Sequence, residues 1–151
     1  MLGGWVAELI YHPKHGGHGD DHHQAYTIDT GVEEVAEEVV EVNIPELIAA
    51  ADASKGERVF GKCKACHKLE DGANGTGPHL YSLVNRDVAS VDGYGYSGAL
   101  IAVAQVWDYE ALYRFLESPK KYAPGTAMAF NGLAKSSDRA NLIAYLEGIG
   151  G

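Results

Sequence analysis

The chain has 151 residues and a formal net charge of −9. This length is typical of one domain with a single core, and the acidic balance argues against nucleic acid as a partner. Residues 1–51 carry ten acidic side chains and one lysine, giving −9, whereas residues 52–151 carry eleven acidic and eleven basic ones, giving zero. We therefore expect a tail and a domain that meet near Asp52.

The first stretch, residues 1–11, is apolar apart from Glu8. It is about half as long as a membrane-spanning helix, and it lacks the positive region and the cleavage site of a signal peptide. Trp5 and Tyr11 are aromatic residues of the kind found at membrane interfaces. We interpret this stretch as an apolar stub that is the remnant of a membrane anchor, with an amphipathic segment or an expression artefact as the alternatives.

Residues 12–51 are acidic and contain histidines, and we expect a flexible linker. Five histidines lie in residues 12–23. Such tracts bind transition metals, but nothing fixes the ligand geometry here, so a hydrated segment is favoured over a metal site. Residues 32–42 have apolar side chains at helical spacing, yet five glutamates repel one another, which favours an extended linker over a docking helix. Asn43 and Pro45 are typical of the start of a short helix.

The motif that carries chemistry is Cys63-Lys64-Ala65-Cys66-His67, which is the attachment signature of a c-type haem. On a helix the two sulfurs lie near one face, where each can form a thioether bond to a vinyl group, and His67 can then reach the iron. The alternatives are a thioredoxin-type dithiol, half of a zinc site, and chance. A dithiol needs a βαβ context, which the sequence lacks, and a structural zinc site needs four ligands.

Residues 52–151 predict short helices between glycine-rich loops. The expected N-caps are Asp52 or Ser54, Ser97, Asp108, and Ser136 or Ser137. The first of these helices leads directly into the cysteine motif, and the others end near Ala104, Glu117 and Glu147. Residues 71–79 and 92–98 are too rich in glycine for regular structure. Loops this long suit a compact domain only if a cofactor fills its centre, so we predict an all-α fold of three to five helices wrapped around one haem.

Met128 is the candidate for the second axial ligand, after His67. It is the only internal methionine and lies in a proline-glycine loop. A lone methionine is often core filler, but His/Met ligation is typical of cytochromes c. His79 is the main competitor, and we interpret it as a loop residue. Two protein ligands leave the iron no open site, so we expect outer-sphere electron transfer rather than enzymatic catalysis; a labile sixth ligand would instead allow a haem peroxidase.

The domain resembles the class I cytochromes c, and closely the mitochondrial type and its alphaproteobacterial relatives, over essentially all of residues 52–151. The matching motifs are CKACH at 63–67, GTGPHL at 75–80, GYGYSGA at 93–99, VW at 106–107 and LESPKKYAPGTAMAF at 116–130. The resemblance implies the class I fold and one covalent haem c. Cys63 and Cys66 would hold this haem, and His67 and Met128 would ligate its iron.

The resemblance also implies roles for residues around the haem. Pro78 would support His67 through its backbone carbonyl. The residues that match those near the propionates are Arg86, Tyr94, Tyr96 and Trp107. Gly56 and Phe60 would pack on the last helix at Leu142 and Tyr145. Three positions depart from the family pattern: Phe115 replaces a tyrosine, Ala127 a lysine and His79 an asparagine.

The N-terminal tail resembles that of the membrane-anchored cytochromes c of alphaproteobacteria, such as cytochrome c-y. This resemblance implies a monomeric carrier on the periplasmic side of the inner membrane. It would take electrons from a cytochrome bc complex and deliver them to a haem-copper oxidase, a photosynthetic reaction centre or both. The alternative is a haem-bearing subunit domain of a larger oxidoreductase. Six lysines would form a basic haem edge for acidic partners, the alternative being simple solvated lysines: Lys62, Lys64, Lys68, Lys120, Lys121 and Lys135.

Overall fold

The computed structural model describes residues 42–150. Within this range there are five helices: α1 (Ile44–Ala49), α2 (Ala53–Phe60), α3 (Tyr109–Glu117), α4 (Pro119–Tyr122) and α5 (Ser136–Glu147). The described residues contain no strand, and their one isolated bridge joins Asp87 and Val106. The all-α prediction is therefore confirmed. None of the helices in this range is long and apolar enough to cross a bilayer.

The apolar stub, the histidine tract and most of the acidic linker lie outside the described residues. The end of the predicted linker is described, and it forms α1. Asn43 caps this helix, since its Oδ1 accepts a hydrogen bond from the backbone N–H of Glu46 at 3.3 Å. Ile44 and Ile48 are 6% and 3% exposed, and α1 packs against α3 and α5. The packed unit therefore begins upstream of the boundary predicted at Asp52, because these two isoleucines share one helix face and bury it.

Two predicted N-caps are present. Asp52 Oδ1 accepts hydrogen bonds from the N–H groups of Ser54 and Lys55 at 2.9 and 3.2 Å, and Asp108 Oδ1 accepts one from Ala111 at 2.8 Å. Each cap satisfies donors that the first turn of a helix leaves unpaired. The serine cap expected for α5 is wrong, because Ser136 is already the first helical residue and Lys135 occupies the cap without a side-chain bond.

The helix predicted after Ser97 is also wrong. The segment that follows Ser97 forms turns instead, in which the N–H groups of Val103 and Ala104 both point to the carbonyl of Leu100 at 3.1 Å. Gly98 has a φ of +83°, which a right-handed helix does not contain. The chain therefore crosses this region as a loop.

The crossing of α2 over α5 is the frame that holds the cysteine motif. Gly56 makes this crossing close, because a Cβ atom there would lie 1.9 Å from the Asn141 carbonyl oxygen. The rings of Phe60 and Tyr145 meet across the same contact at 5.9 Å. Leu142 of α5 is only 1% exposed. The expected packing of the first haem-domain helix on the last one is confirmed, and it fixes the position from which the motif begins.

Candidate functional site

A cavity of about 290 Å³ opens beside the end of α2. Its walls come from α3, α5 and three loops, so residues far apart in sequence meet here. All nine residues predicted from the sequence to hold or surround a cofactor line this cavity: Cys63, Cys66, His67, Pro78, Arg86, Tyr94, Tyr96, Trp107 and Met128. Much of the remaining lining is apolar and includes Leu83, Leu112 and Leu142.

The cysteine motif continues from α2 as consecutive helical turns. The N–H of Cys63 bonds to the carbonyl of Phe60 at 2.8 Å, and the N–H of His67 bonds to that of Cys63 at 3.0 Å. This winding brings Cys63 and Cys66 to the same wall. Both thiols are free of disulfides, and Cys63 is partly buried whereas Cys66 is exposed. Burial raises the pKa of the Cys63 thiol.

His67 has one ring nitrogen fixed by the backbone. Its Nδ1 lies 2.7 Å from the carbonyl oxygen of Pro78. A carbonyl only accepts, so Nδ1 must carry the proton and donate it, and Nε2 keeps a lone pair. This is the arrangement in which a histidine can bind a metal through Nε2, with its ring oriented by the other nitrogen.

The loop that carries Pro78 is tied back to the motif. The N–H of Gly77 bonds to the Cys66 carbonyl at 2.9 Å, and the N–H of Leu80 bonds to the Lys68 carbonyl at 2.8 Å. The imidazole of His67 packs directly on the backbone of Gly77, where a Cβ atom would lie 2.3 Å from Cε1 of the ring. Sequence reasoning missed this role of Gly77, because the Gly-Pro pair predicts a loop but not what lies against it.

Arg86 places a positive charge at the cavity. Its Nη1 donates to the Tyr81 carbonyl at 2.7 Å and its Nη2 to the His79 carbonyl at 3.0 Å. Burial lowers the pKa of this guanidinium. Its Nε is also buried and has no hydrogen-bond partner within residues 42–150. A cavity with apolar walls and an unused cationic donor fits a porphyrin that bears carboxylates.

Two tyrosines connect the 92–98 loop to this region. The Tyr94 hydroxyl donates to the Thr76 carbonyl at 3.0 Å, which joins that loop to the one that holds Pro78. The rings of Tyr94 and Tyr96 meet edge to face at 4.8 Å. Burial raises the pKa of the Tyr96 hydroxyl, so this group stays a neutral hydrogen-bond donor over the physiological pH range.

Met128 lies on the segment between α4 and α5, and its side chain lines the cavity. Trp107, at 6% exposure, lies nearby on the cavity lining, and its ring is 5.1 Å from that of Phe115. Because Phe115 has no hydroxyl, this part of the lining lacks the hydrogen-bonding group that a tyrosine would supply.

His79, the competitor of Met128, is placed elsewhere. It is 8% exposed and lines a separate cavity of about 310 Å³. Its Nε2 lies 3.8 Å from Oδ1 of Asp71, and its backbone N–H bonds to Oδ1 of Asn74 at 3.1 Å. The main cavity therefore has Met128 in its wall and not His79.

The chain is similar to known proteins in both sequence and fold. The family model described as Cytochrome c matches residues 53–150. The cytochrome c homolog of Rickettsia bellii (strain RML369-C) is 39% identical over 153 residues, which cover 97% of this chain and 85% of that protein. The cytochrome c-type cyt cy of Rhodobacter capsulatus is 46% identical over 106 residues, which cover 70% of this chain and 53% of that protein. The solved structure of cytochrome cH from Methylobacterium extorquens has a TM-score of 0.59 and 41% identity, covering 64% of this chain and 97% of that one.

Proposed function

Because this chain belongs to the cytochrome c family, whose members are electron-transfer proteins and not enzymes, we propose that it carries electrons from a cytochrome bc complex to a haem-copper oxidase, a photosynthetic reaction centre or both. Its cofactor is covalent haem c, which supplies a one-electron Fe(III)/Fe(II) couple when bound. The observation that supports this proposal most is that both cysteines, His67 and Met128 line one cavity.

Different residues of the chain would attach the haem, bind its iron and contact its propionates. Cys63 and Cys66 would form the thioether bonds. His67 would bind the iron through Nε2, because its Nδ1 donates its proton to the Pro78 carbonyl oxygen, 2.7 Å away. Met128 would be the sixth ligand, and a thioether sulfur there favours the reduced form and raises the potential. Arg86, whose buried Nε is unused, would offset the negative charge of the propionates, and the two neutral tyrosines would line the cavity beside it.

A closed iron site is the part of the proposal that separates a carrier from a peroxidase. In the ferric holoprotein, Met128→Ala is expected to bind cyanide or imidazole at least about a hundredfold more tightly than the wild type, because no protein ligand must leave first. The variant should also lose the weak sulfur-to-iron absorption band and have a lower potential. If affinity and potential stay at their wild-type values, another residue is the sixth ligand.

The six lysines of the predicted basic edge would lie around the haem, and we call them the lysine face. All six side chains are exposed, and within residues 42–150 none of them takes part in an ion pair. Lys62 lines the cavity itself, Lys64 lies within the cysteine motif, and Lys68 follows it directly. Exposed, unpaired cations beside a redox centre steer an acidic partner towards it and increase the rate of association. We infer that redox partners approach through this face.

The lysine face predicts a salt-dependent reaction. Lys62, Lys64 and Lys68 are each changed to glutamate, singly and together, and oxidation of the reduced holoprotein by a haem-copper oxidase is followed at several ionic strengths. The combined variant should react about tenfold more slowly at low salt, and the difference should shrink as salt screens the charges. Arg114→Glu on α3, which is not one of the six lysines, makes the same charge change as Lys64→Glu. If it slows the reaction equally, net charge and not the lysine face is responsible.

We also propose that the haem domain is tethered to the periplasmic side of a membrane by residues 1–41, which lie outside the described residues. The support is the sequence pattern: an aromatic, apolar stub followed by an acidic stretch that enters the packed unit at α1. In the periplasm of a bacterium that matures c-type cytochromes, a variant whose apolar stub is extended to a full membrane-spanning helix should stay with the membranes after a high-salt wash. Deletion of that helix should release the protein. A soluble product from the extended variant would contradict the tether.

A further inference from the structure

A buried arginine lies under the segment that carries Met128. Arg139, in the first turn of α5, is 5% exposed. Its Nη1 donates hydrogen bonds to the carbonyls of Leu133 at 2.7 Å and Ala134 at 3.0 Å. Its Nη2 lies 3.7 Å from Oε1 of Glu117, and its Cζ lies 4.3 Å from the centre of the Tyr113 ring. Arginine is rarely buried unless its charge has partners, so this group of contacts is a specific feature of the fold.

The segment between α4 and α5 depends on these contacts because it forms neither helix nor strand. Leu133, 3% exposed, is bonded in two directions. Its N–H donates to the Leu116 carbonyl of α3 at 2.7 Å, and its carbonyl accepts from Arg139 of α5. Gly132, with a φ of +100°, allows the close approach, since a Cβ atom there would lie 2.0 Å from the Glu117 carbonyl oxygen.

The end of this segment at Leu133 is connected to the cavity through α3. Leu116, which receives the Leu133 hydrogen bond, lines the same cavity as Met128. Within residues 42–150, the backbone N–H of Met128 has only a long bond of 3.4 Å, to the hydroxyl of Thr126. Met128 is therefore held by its packing against the core and by the two ends of its segment, one of which is bonded at Leu133 and Ala134.

We propose that Arg139 is a positioning residue that keeps Met128 at the cavity. Its bonds to Leu133 and Ala134, which we call the Arg139 clasp, oppose the outward movement of the segment that must accompany release of the Met128 sulfur. This inference rests on the proposed function, in which Met128 is the sixth ligand. The clasp acts on the segment, and none of its three residues lines the cavity.

The test uses imidazole as a probe of Met128 release in the ferric holoprotein. Imidazole binds only after the methionine has left, so its apparent affinity is scaled by the fraction of molecules in the released state. Arg139→Lys keeps the charge but loses the planar pair of donors, and it should bind imidazole about tenfold more tightly than the wild type. Arg139→Met, which has no donor, should bind it more tightly still. Unchanged affinity in both variants would overturn the clasp.

Asn141→Ala is the matched control on the same helix. Its Oδ1 accepts a hydrogen bond from the Asp52 N–H at 2.8 Å, so the variant weakens the contact of α5 with the start of α2 and leaves the clasp intact. We expect its imidazole affinity to stay within about twofold of wild type, even though its unfolding free energy falls. If affinity follows global stability alike in both variants, Arg139 has only a general structural role.

A measurement on the wild type avoids any substitution of a buried charge. Hydrogen exchange is followed with and without saturating imidazole, which traps the released state. The Leu133 amide should exchange faster with imidazole, whereas the Gly56 amide, bonded to the Asp52 carbonyl at 3.0 Å, should not change. Equal protection of Leu133 in both states would show that Met128 leaves without movement at the end of the segment that the clasp holds, and would overturn the proposal.

Met128→Ala distinguishes an error in the sixth-ligand assignment from an error in the proposed role of Arg139. If this variant binds imidazole no more tightly than wild type, the sixth-ligand assignment is wrong. If it binds more tightly while the Arg139 variants do not, the assignment holds and only the clasp is wrong.

Discussion

The cavity has two walls that are built in different ways: the His67 wall, residues 61–80, and the Met128 wall, residues 123–135. Each contains a glycine whose Cβ position is already occupied. At Gly77 the occupant is the ring of His67, at 2.3 Å, whereas at Gly132 it is the Glu117 carbonyl oxygen of α3, at 2.0 Å. The first glycine makes room for the functional side chain itself, and the second makes room for a distant helix.

This difference separates a wall that is bonded within its own residues from a wall that is held by helices. The His67 wall is closed by bonds between its own residues, such as the N–H of Gly77 to the Cys66 carbonyl at 2.9 Å. The Met128 wall is held by α3 and α5, which lie on either side of it in the chain. We therefore expect the Met128 wall to open first under stress, because its bonds depend on the positions of two helices, whereas the bonds of the His67 wall lie within one segment.

The largest effect should come from Gly132→Ala. A side chain there meets both a positive φ and the carbonyl of Glu117, so we expect the unfolding free energy to fall by about 2–5 kcal/mol and imidazole to bind more tightly. Denaturant unfolding and imidazole titration of the holoprotein measure the two effects. Gly93→Ala is the control, because Gly93 has a φ of +71° and no atoms within 4 Å of its Cβ position, and it should cost only the backbone strain.

Gly77→Ala should have the next largest effect, of about 1–3 kcal/mol in unfolding free energy. The new methyl group would displace the His67 ring and strain its bond to Pro78. Imidazole affinity should stay near the wild-type value, since the Met128 wall is untouched. Gly95→Ala is the control, because its Cβ position is open. If Gly77→Ala tightens imidazole binding as strongly as Gly132→Ala does, the two walls are not independent.

A smaller effect is expected at the contact between the tyrosine loop and the His67 wall. Tyr94→Phe removes the hydrogen bond to the Thr76 carbonyl, which is 3.0 Å long. The loss in unfolding free energy should be about 1 kcal/mol or less, because the bond is neutral and partly exposed. Tyr81→Phe removes a hydroxyl that has no hydrogen bond within residues 42–150, and it should change stability less. Equal losses in the two variants would mean that the Tyr94 bond contributes nothing specific.

The smallest effect concerns pH. Burial raises the pKa of Tyr96, so above about pH 10 this hydroxyl ionises in the unfolded chain before it does so in the folded one. The stability that it contributes is complete below the unfolded pKa and is lost as pH rises through the folded pKa. Tyr96→Phe should therefore reduce the loss of stability in this alkaline range. Denaturant unfolding at several pH values tests this, and identical curves for variant and wild type would contradict it.

The sequence allowed much of the site to be predicted because its signals are local. The cysteine motif and the Gly-Pro loop are read within a few residues, and Met128 stands out as the only internal methionine. The caps at Asp52 and Asp108 were predictable for the same reason, since a cap bonds to the N–H groups that follow it. The family resemblance then located Arg86, both tyrosines and Trp107, all of which line the cavity.

The features that the sequence did not reveal depend on tertiary contacts. Arg139 looks like an ordinary polar residue on a terminal helix, and nothing near it indicates that Leu133 and Ala134 accept its hydrogen bonds. Nothing in the sequence around Gly132 indicates that the Glu117 carbonyl lies against it. The domain boundary was placed at a change in charge, but charge does not report burial, and α1 is packed by its two isoleucines. The helix expected after Ser97 failed because Gly98 leaves the helical region.

Helix α1 has a mechanical consequence for any force applied to the N-terminal side of the domain. Such a pull reaches Ile44 and Ile48 before it reaches α2, and these two side chains are buried where α1 packs on α3 and α5. A six-residue helix can peel away while the crossing of α2 over α5 stays closed. The short helix would thus detach first under force, and the cysteine motif would stay in place.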